Sequence, residues 1–487
     1  MTPRATARAA SVLVALALLA GCGGGGDEDR GDGKPGAPPG APASDGPPIA
    51  SRPPARGDGS KDPDDLNGDG HRDLVVTAPK GVPGTQGALT RAVVVYGSAH
   101  GPDPATRSVY DRRDLGLPAA PPGPTADDGR SPDATTTADL DGDGFADVVS
   151  HSAEKVTGAP RPGQMGDRRP VAFVSWGTPG GPRHGARAVR LPATAGLASL
   201  VRGDFDGDGH HDLAGLAADG SSVRLLFGPF TRSGAAARAE GRQLPDPQQA
   251  GFGHLLADDI ATTGRPRTTP LLVRHGDDGE QSGNLFFAAR PGGGLAATGR
   301  PVREGNAVAF GDFDGDSTRD VAVGDDGSRN DEPGSETEPA DVGGTYAVVP
   351  GDGGAPRTHR LPDRRTSTTS LRRFFAADPD GDGTDQLLVA PTAGGAVLLD
   401  GDRPAGRVSR TSPARVNGKA VPASRRAAGV RAVADFDGDG ADEVVLAWSS
   451  TPVDRRYGQQ PLWWWVTDGM SAKDLAAFAS WGFVPVD

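Results

Sequence analysis

A nine-residue pattern, Asp-x-Asp-x-Asp-Gly-x-x-Asp, recurs six times in register and constrains the fold of this chain more than any other feature. The copies are Asp65-Leu-Asn67-Gly-Asp69-Gly-His71-Arg-Asp73, Asp139-Leu-Asp141-Gly-Asp143-Gly-Phe145-Ala-Asp147 and Asp204-Phe-Asp206-Gly-Asp208-Gly-His210-His-Asp212. They continue with Asp312-Phe-Asp314-Gly-Asp316-Ser-Thr318-Arg-Asp320, Asp378-Pro-Asp380-Gly-Asp382-Gly-Thr384-Asp-Gln386 and Asp435-Phe-Asp437-Gly-Asp439-Gly-Ala441-Asp-Glu443. Six copies in register are not solvated Asp-Gly turns. They mark a repeat fold, in which each unit buries its apolar face against the next.

The spacing has a chemical reason. Oxygens at positions 1, 3 and 5 of a tight loop can all point inward, and glycine at position 6 permits the sharp bend. Position 7 can offer its backbone carbonyl, so its side chain varies freely: His71, Phe145, His210, Thr318, Thr384 and Ala441. Position 9 closes the shell with Asp73, Asp147, Asp212, Asp320 or Glu443. An oxygen shell of this kind suits Ca2+, with up to six sites, whereas Mg2+ prefers a smaller octahedral shell that keeps its water. The copies at 139 and 204 are complete. Asn67 is still an oxygen donor, Ser317 replaces the glycine and strains the bend, and neutral Gln386 weakens the fifth copy. An EF-hand would close with Glu at position 12 between helices. Here aliphatic runs such as Leu74-Val75-Val76 and Val444-Val445-Leu446 follow at once and read as buried strands.

Each loop has a second echo downstream, an apolar strand that ends near glycine: Val93 to Gly97, Phe173 to Gly177, Val223 to Gly228, Tyr346 to Gly351, Ala396 to Gly401 and Leu462 to Gly469. A seventh such strand, Asn284-Leu-Phe-Phe287, has no intact loop before it, so residues 251–300 form a degenerate fourth repeat. The unit resembles the FG-GAP (VCBS-type) repeat of the integrin alpha-chain β-propeller. Phe252-Gly253 stands for its "FG", Thr77-Ala78-Pro79 lies near its "GAP", and the Asp loop lies between. The resemblance implies an all-β fold over residues 61–487, a seven-bladed β-propeller with calcium in the hairpin between the first two strands of a blade. The first loop has only Gly/Pro-rich chain ahead of it. The C-terminal Trp481 to Asp487 is therefore expected to supply the first strand of blade 1 and close the ring.

The N-terminus reads as an export signal over residues 1–21, with Arg4 and Arg8 ahead of an apolar core from Ser11 to Leu19 that is too short to span a bilayer. Leu19-Ala-Gly-Cys22 resembles a bacterial lipobox. Cys22 is the only cysteine, so it cannot form an internal disulfide, and lipid attachment explains it. Residues 22–60 are Gly, Pro, Ala, Ser and charge, which reads as a disordered tether. The expected location is the outer face of the cell membrane, with the lipid as the only membrane contact.

A formal net charge of -13 argues against a nucleic-acid partner. Six divalent cations would offset most of it. No His-Glu-x-x-His, Gly-x-Ser-x-Gly or P-loop is present. His210-His211-Asp212 suggests a transition-metal site but lies inside an Asp loop. Trp463-Trp464-Trp465 suggests a carbohydrate platform, yet alternation along a strand sends its rings to both neighbouring blades. Arg202-Gly203-Asp204 reads as an adhesion tripeptide, but its Asp is the first residue of the third loop. The sequence therefore points to a non-enzymatic, monomeric, calcium-binding adhesion or binding module for a cell-surface protein or glycan. The alternative is an exported propeller enzyme, a polysaccharide lyase or hydrolase.

Overall fold

The computed structural model describes residues 50–483 apart from 81–88, 119–135, 156–167, 192–198, 218–219, 246–252, 276–280, 330–341, 363–370, 392–393, 417–418 and 450–460. The expected signal segment, Cys22, most of the expected tether and Phe252 lie outside the described residues.

The strands form seven antiparallel sheets in chain order, the blades of a β-propeller. Blade 1 holds β1 (Leu74–Lys80), β2 (Leu89–Val95) and β3 (Arg107–Tyr110). Blade 2 holds β4 (Thr136–Ala138), β5 (Asp147–Lys155), β6 (Arg168–Ser175) and β7 (Val189–Arg190). Blade 3 holds β8 (Leu200–Gly203), β9 (Asp212–Leu216), β10 (Ser222–Phe227) and β11 (Arg238–Gln243). Blade 4 holds β12 (His254–Ala257), β13 (Leu271–Arg274), β14 (Asn284–Phe287) and β15 (Arg300–Val302). Blade 5 holds β16 (Ala307–Gly311), β17 (Asp320–Gly324), β18 (Thr345–Val349) and β19 (Arg357–Arg360). Blade 6 holds β20 (Arg372–Ala377), β21 (Gln386–Pro391), β22 (Ala396–Asp400) and β23 (Arg403–Val408). A two-stranded ribbon, β24 (Arg415–Val416) and β25 (Lys419–Ala420), precedes blade 7. Blade 7 holds β26 (Gly429–Ala434), β27 (Glu443–Ser449), β28 (Pro461–Thr467) and β29 (Asp474–Ala479).

The core lies between blades, because each sheet has a neighbour on both faces. Side chains alternate along a strand, so one strand feeds two seams. In β28, Trp463 and Trp465 pack toward blade 6 with Leu388, Leu398 and Leu446. Trp464 points the other way, with Val76, Val93 and Phe478, into the seam with blade 1. All three rings are buried, which removes them as a carbohydrate platform. Five further apolar clusters fill the other seams and complete the ring.

Two expectations are corrected here. The C-terminal segment reaches blade 1, but Ser480–Phe483 is a 3-10 turn rather than a strand; residues 484–487 lie outside the described residues. The Ser480 hydroxyl donates to Thr77 O (2.8 Å) and accepts from Trp464 Nε1 (3.1 Å), which ties blade 7 to β1. Blade 1 therefore shows three strands among the described residues. The composition of 22–60 reads as tether throughout, yet residues 50–60 lie fixed on the ring. Gly57 N–H donates to Asn67 O (3.1 Å), Gly59 N–H to Gly68 O (3.0 Å) and Ser60 N–H to Gly144 O (2.8 Å). In blade 2 the pairing of β5 with β6 runs on through His151–Lys155 and Arg168–Ala172.

Candidate metal centres and the channel mouth

Five of the Asp loops join the first two strands of a blade, and the loop at 65 leads directly into β1. The position-1 carboxylate organises each bend. Asp65 accepts from the N–H groups of Gly68 (2.7 Å) and Gly70 (2.7 Å), and Asp204 from those of Gly207 (2.7 Å) and Gly209 (3.0 Å). Asp139, Asp312 and Asp435 accept in the same way. Position 5 accepts the N–H of position 7, as Asp208 does from His210 (2.8 Å). Asp69, Asp143, Asp316, Asp382 and Asp439 do the same.

Position 9 explains the glycine that ends the third strand. Asp73 accepts from Leu66 N–H and Gly97 N–H (2.8 Å each), and Asp212 from Phe205 N–H (2.7 Å) and Gly228 N–H (2.8 Å). Asp147 makes the same pair with Leu140 and Gly177, and Asp320 with Phe313 and Gly351. Glycine is required for close approach: a Cβ at Gly351 would lie 2.2 Å from Arg319 O. The fifth loop lacks this closure, because Gln386 turns its amide to Thr384 O (3.0 Å).

The inner faces of five loops gather carboxylate oxygens, whereas Asp65, Asp69 and Asp73 of the first loop form no such cluster among the described residues. One oxygen from each of Asp139, Asp141 and Asp147 lies within 4.8 Å of the others. The same holds for Asp204, Asp206 and Asp212, for Asp312, Asp314 and Asp316, for Asp378, Asp380 and Asp382, and for Asp435, Asp437 and Glu443. Position 3 carries the most telling feature. Asn67 Oδ1, Asp141 Oδ1, Asp206 Oδ1 and Asp314 Oδ1 are buried without a hydrogen-bond partner. A buried oxygen left unpaired is costly, and four at the equivalent position fit a cation that completes the shell.

The outer atom of position 3 is engaged. Arg238 meets Asp206 Oδ2 at 2.7 Å, Arg357 meets Asp314 Oδ2 at 3.3 Å, and Arg232 pairs with Asp141 Oδ2. In the first loop Asn67 Nδ2 donates to Asp69 (2.8 Å) and to Ala55 O (2.9 Å) in the tether root. An aspartate could not make those donations, which gives Asn67 a reason of its own. Without a cation, burial foremost pushes the carboxyls of Asp147 and Asp212 up to about 8, Glu443 to about 7, and Asp141, Asp204 and Asp320 to about 6.

The loops are also stitched to one another. Asp385, at position 8 of blade 6, accepts from Asp312 N–H (2.7 Å) and donates its own N–H to Asp312 O (2.8 Å). Asp442 bonds Asp378 of the blade before it in the same double fashion. His211 Nδ1 accepts from Asp139 N–H (2.8 Å), and burial lowers its pKa to about 4, so it serves as a seam acceptor. In blade 4, which lacks the Asp loop, Thr269 bonds both backbone groups of Asp204, and Asp258 receives a bidentate Arg319 (2.7 and 2.8 Å).

These pairs surround a cavity of about 740 Å³ at the loop end of the central channel, lined among others by Arg72, Asp258, Arg267, Arg319, Asp385 and Asp442. Several of its charges are tied down. Arg319 also reaches Asp385 (2.6 Å), and Arg72 meets Asp62 (3.0 Å). Arg202 clamps Asp64 at 2.6 and 2.7 Å, and Asp204 is 2% exposed. The tripeptide Arg202-Gly203-Asp204 is thus internal and unavailable to a receptor. Sequence reasoning missed Arg232, Arg238, Arg357, Asp64 and Asp258, and none of them carries a local signal.

No protein-family profile matches the sequence, and no curated relative does. Among solved structures, the chain is similar to rhamnogalacturonan lyase YesW, with 13% identity, 76% of this chain and 79% of that chain covered, and a TM-score of 0.32. Among the described residues no helix is long and apolar enough to cross a membrane.

Proposed function

We propose that this chain is an exported, lipid-anchored β-propeller of the FG-GAP type, stiffened by Ca2+, that binds a protein or glycan at the cell surface. The observation that carries the reading is the set of orphaned inner oxygens at Asn67, Asp141, Asp206 and Asp314. A ring with that many inward-facing oxygen shells suits a compartment rich in calcium, where loop sites of modest affinity stay filled. In the loops of blades 1, 2, 3, 5 and 7, positions 1, 3, 5 and 9 would hold the ion and position 7 would add its carbonyl. The loop of blade 6, closed by Gln386, is the weakest. Bound Ca2+ supplies charge neutralisation and rigidity in this reading, and the exposed loops supply recognition. Asp258, Arg319 and Asp385 at the channel mouth are engaged with one another, which favours a binding role over proton transfer.

A glycan array probed with and without Ca2+ tests the proposal. Retention of defined glycans that disappears on chelation is the expected result, with the same glycans recovered intact. Release of shortened saccharides with unsaturated ends would replace it with the lyase reading.

A further inference from the structure

On the outer side of the blade 2 metal loop lies a second cavity, of about 280 Å³, lined by Asp143, Trp176, Thr178, Arg183, Arg187 and Arg232 among others. Its chemistry differs from that of the channel mouth. Arg183 and Arg187 are exposed, and among the described residues neither has an ion-pair partner. They sit on a segment that is firmly held. Gly181 N–H bonds Thr178 O (2.8 Å), Gly185 N–H bonds Asp114 O (2.8 Å) and Ala188 N–H bonds Gly116 O (3.2 Å). Between the two arginines, His184 stacks on Tyr110 with ring centroids 4.6 Å apart. The guanidinium groups therefore project from a fixed base.

Trp176 supplies the aromatic wall. It is half-buried, its Nε1 is buried without a hydrogen-bond partner, and Arg232 lies over its ring at 5.0 Å from the centroid. Arg232 also reaches Asp141, at position 3 of the metal loop, and Asp143, at position 5, at 2.5 Å. A wall made of the Trp176 indole and the Arg232 guanidinium over it, beside two free guanidinium groups, suits a ring that is apolar on its faces and anionic at its edge. The molecule as a whole is strongly acidic and repels a dense polyanion, so a saccharide with one carboxylate per ring fits better than a nucleic acid.

We propose that this cavity is a binding site for an acidic saccharide, with the wall formed by Trp176 and Arg232 packing against a uronate ring and Arg183 and Arg187 holding its carboxylate. The inference rests on the binding-module reading above and gives it a ligand class and a location. Arg232 also joins the site to the blade 2 metal loop.

Isothermal titration of the calcium-loaded protein provides the test, with a tri-uronate, the neutral trisaccharide of the same linkage, and inorganic phosphate as probes. The tri-uronate is expected to bind, the neutral sugar at least about tenfold more weakly. Arg183→Ala/Arg187→Ala should lose at least about tenfold for the tri-uronate, with an unchanged melting temperature because both side chains are exposed. Trp176→Leu should weaken both sugars and leave phosphate unaffected. Undiminished tri-uronate binding by the double arginine variant overturns this site while leaving the binding-module reading intact. Equal binding of phosphate and tri-uronate overturns the saccharide class. A protein that binds none of the three probes here yet retains other glycans on the array also overturns the site alone.

Discussion

Ser317 shows how tightly the nine-residue pattern is set by backbone geometry. It holds φ at 66° and is the only non-glycine residue with positive φ among the described residues, where the other five loops use glycine at the same position. Relieving that conformation should stabilise the protein: Ser317→Gly is expected to gain about 1 kcal/mol, read as a higher denaturation midpoint in urea. A midpoint equal to or below that of the parent chain would refute it. This strain was legible in the sequence, as was the weak closure at Gln386, because both depend on residues within one loop. The purpose of Gly97, Gly177, Gly228 and Gly351 was not. Their recurrence is visible, but the hydrogen bonds they give span 16 to 31 residues, to a carboxylate in the preceding hairpin. The arginines on position 3 were invisible for the same reason, since Arg232 and Asp141 meet only once blades 2 and 3 are side by side.

At the scale of elements, alternation along a strand sufficed to divide Trp463, Trp464 and Trp465 between two seams, and the repeat sufficed to place seven sheets. The ends of the chain were harder. Low apolar content reads as disorder, but residues 50–60 gain order from backbone hydrogen bonds to the first two metal loops, which composition does not reveal. The C-terminal turn holds the ring shut by other means than strand pairing: Ser480 bridges Trp464 and Thr77, and Phe483 stacks on Phe478 at 5.3 Å with Arg107 over its ring at 4.3 Å. Removal of residues 480–487 should therefore open the seam between blades 7 and 1 and cost on the order of 3 kcal/mol or more, measured by thermal melting. A truncated chain that melts with the full-length protein would show that the seam closes without this turn.

For the whole molecule, the metal loops should make stability depend on cation and pH together. Chelation should lower the melting temperature by many degrees, because the ion binds the folded loops and not the unfolded chain. In the metal-free protein, carboxyls with folded pKa values raised to between about 6 and 8 are penalised when ionised. That penalty is absent below the ordinary carboxyl value of 3.8, accrues as the pH rises toward the folded values and levels off above them, so the metal-free melting temperature should fall from pH 5 to pH 8. Calcium needs the ionised carboxylates, so its stabilising effect should grow over the same interval. Scanning calorimetry at several pH values, with Ca2+ and with EDTA, measures both trends. A metal-free protein whose melting temperature rises across that interval would contradict the assignment.

The way residues 50–60 lie across the ring has a mechanical meaning. If the chain is held by its N-terminus, tension enters the propeller first at Ser51 and Arg52, which donate to Arg107 O (3.1 Å) and Ala105 O (2.7 Å) at the start of β3, and then at Gly57, Gly59 and Ser60. The hydrogen bonds of these last three end on Asn67, Gly68 and Gly144, in the metal loops of blades 1 and 2. The load thus meets the outer strand of blade 1 first and the candidate metal loops of blades 1 and 2 second. Ca2+ in those two loops would set the strength of the second of these two anchor points, the one that must yield before the blade 1 hairpin is pulled open.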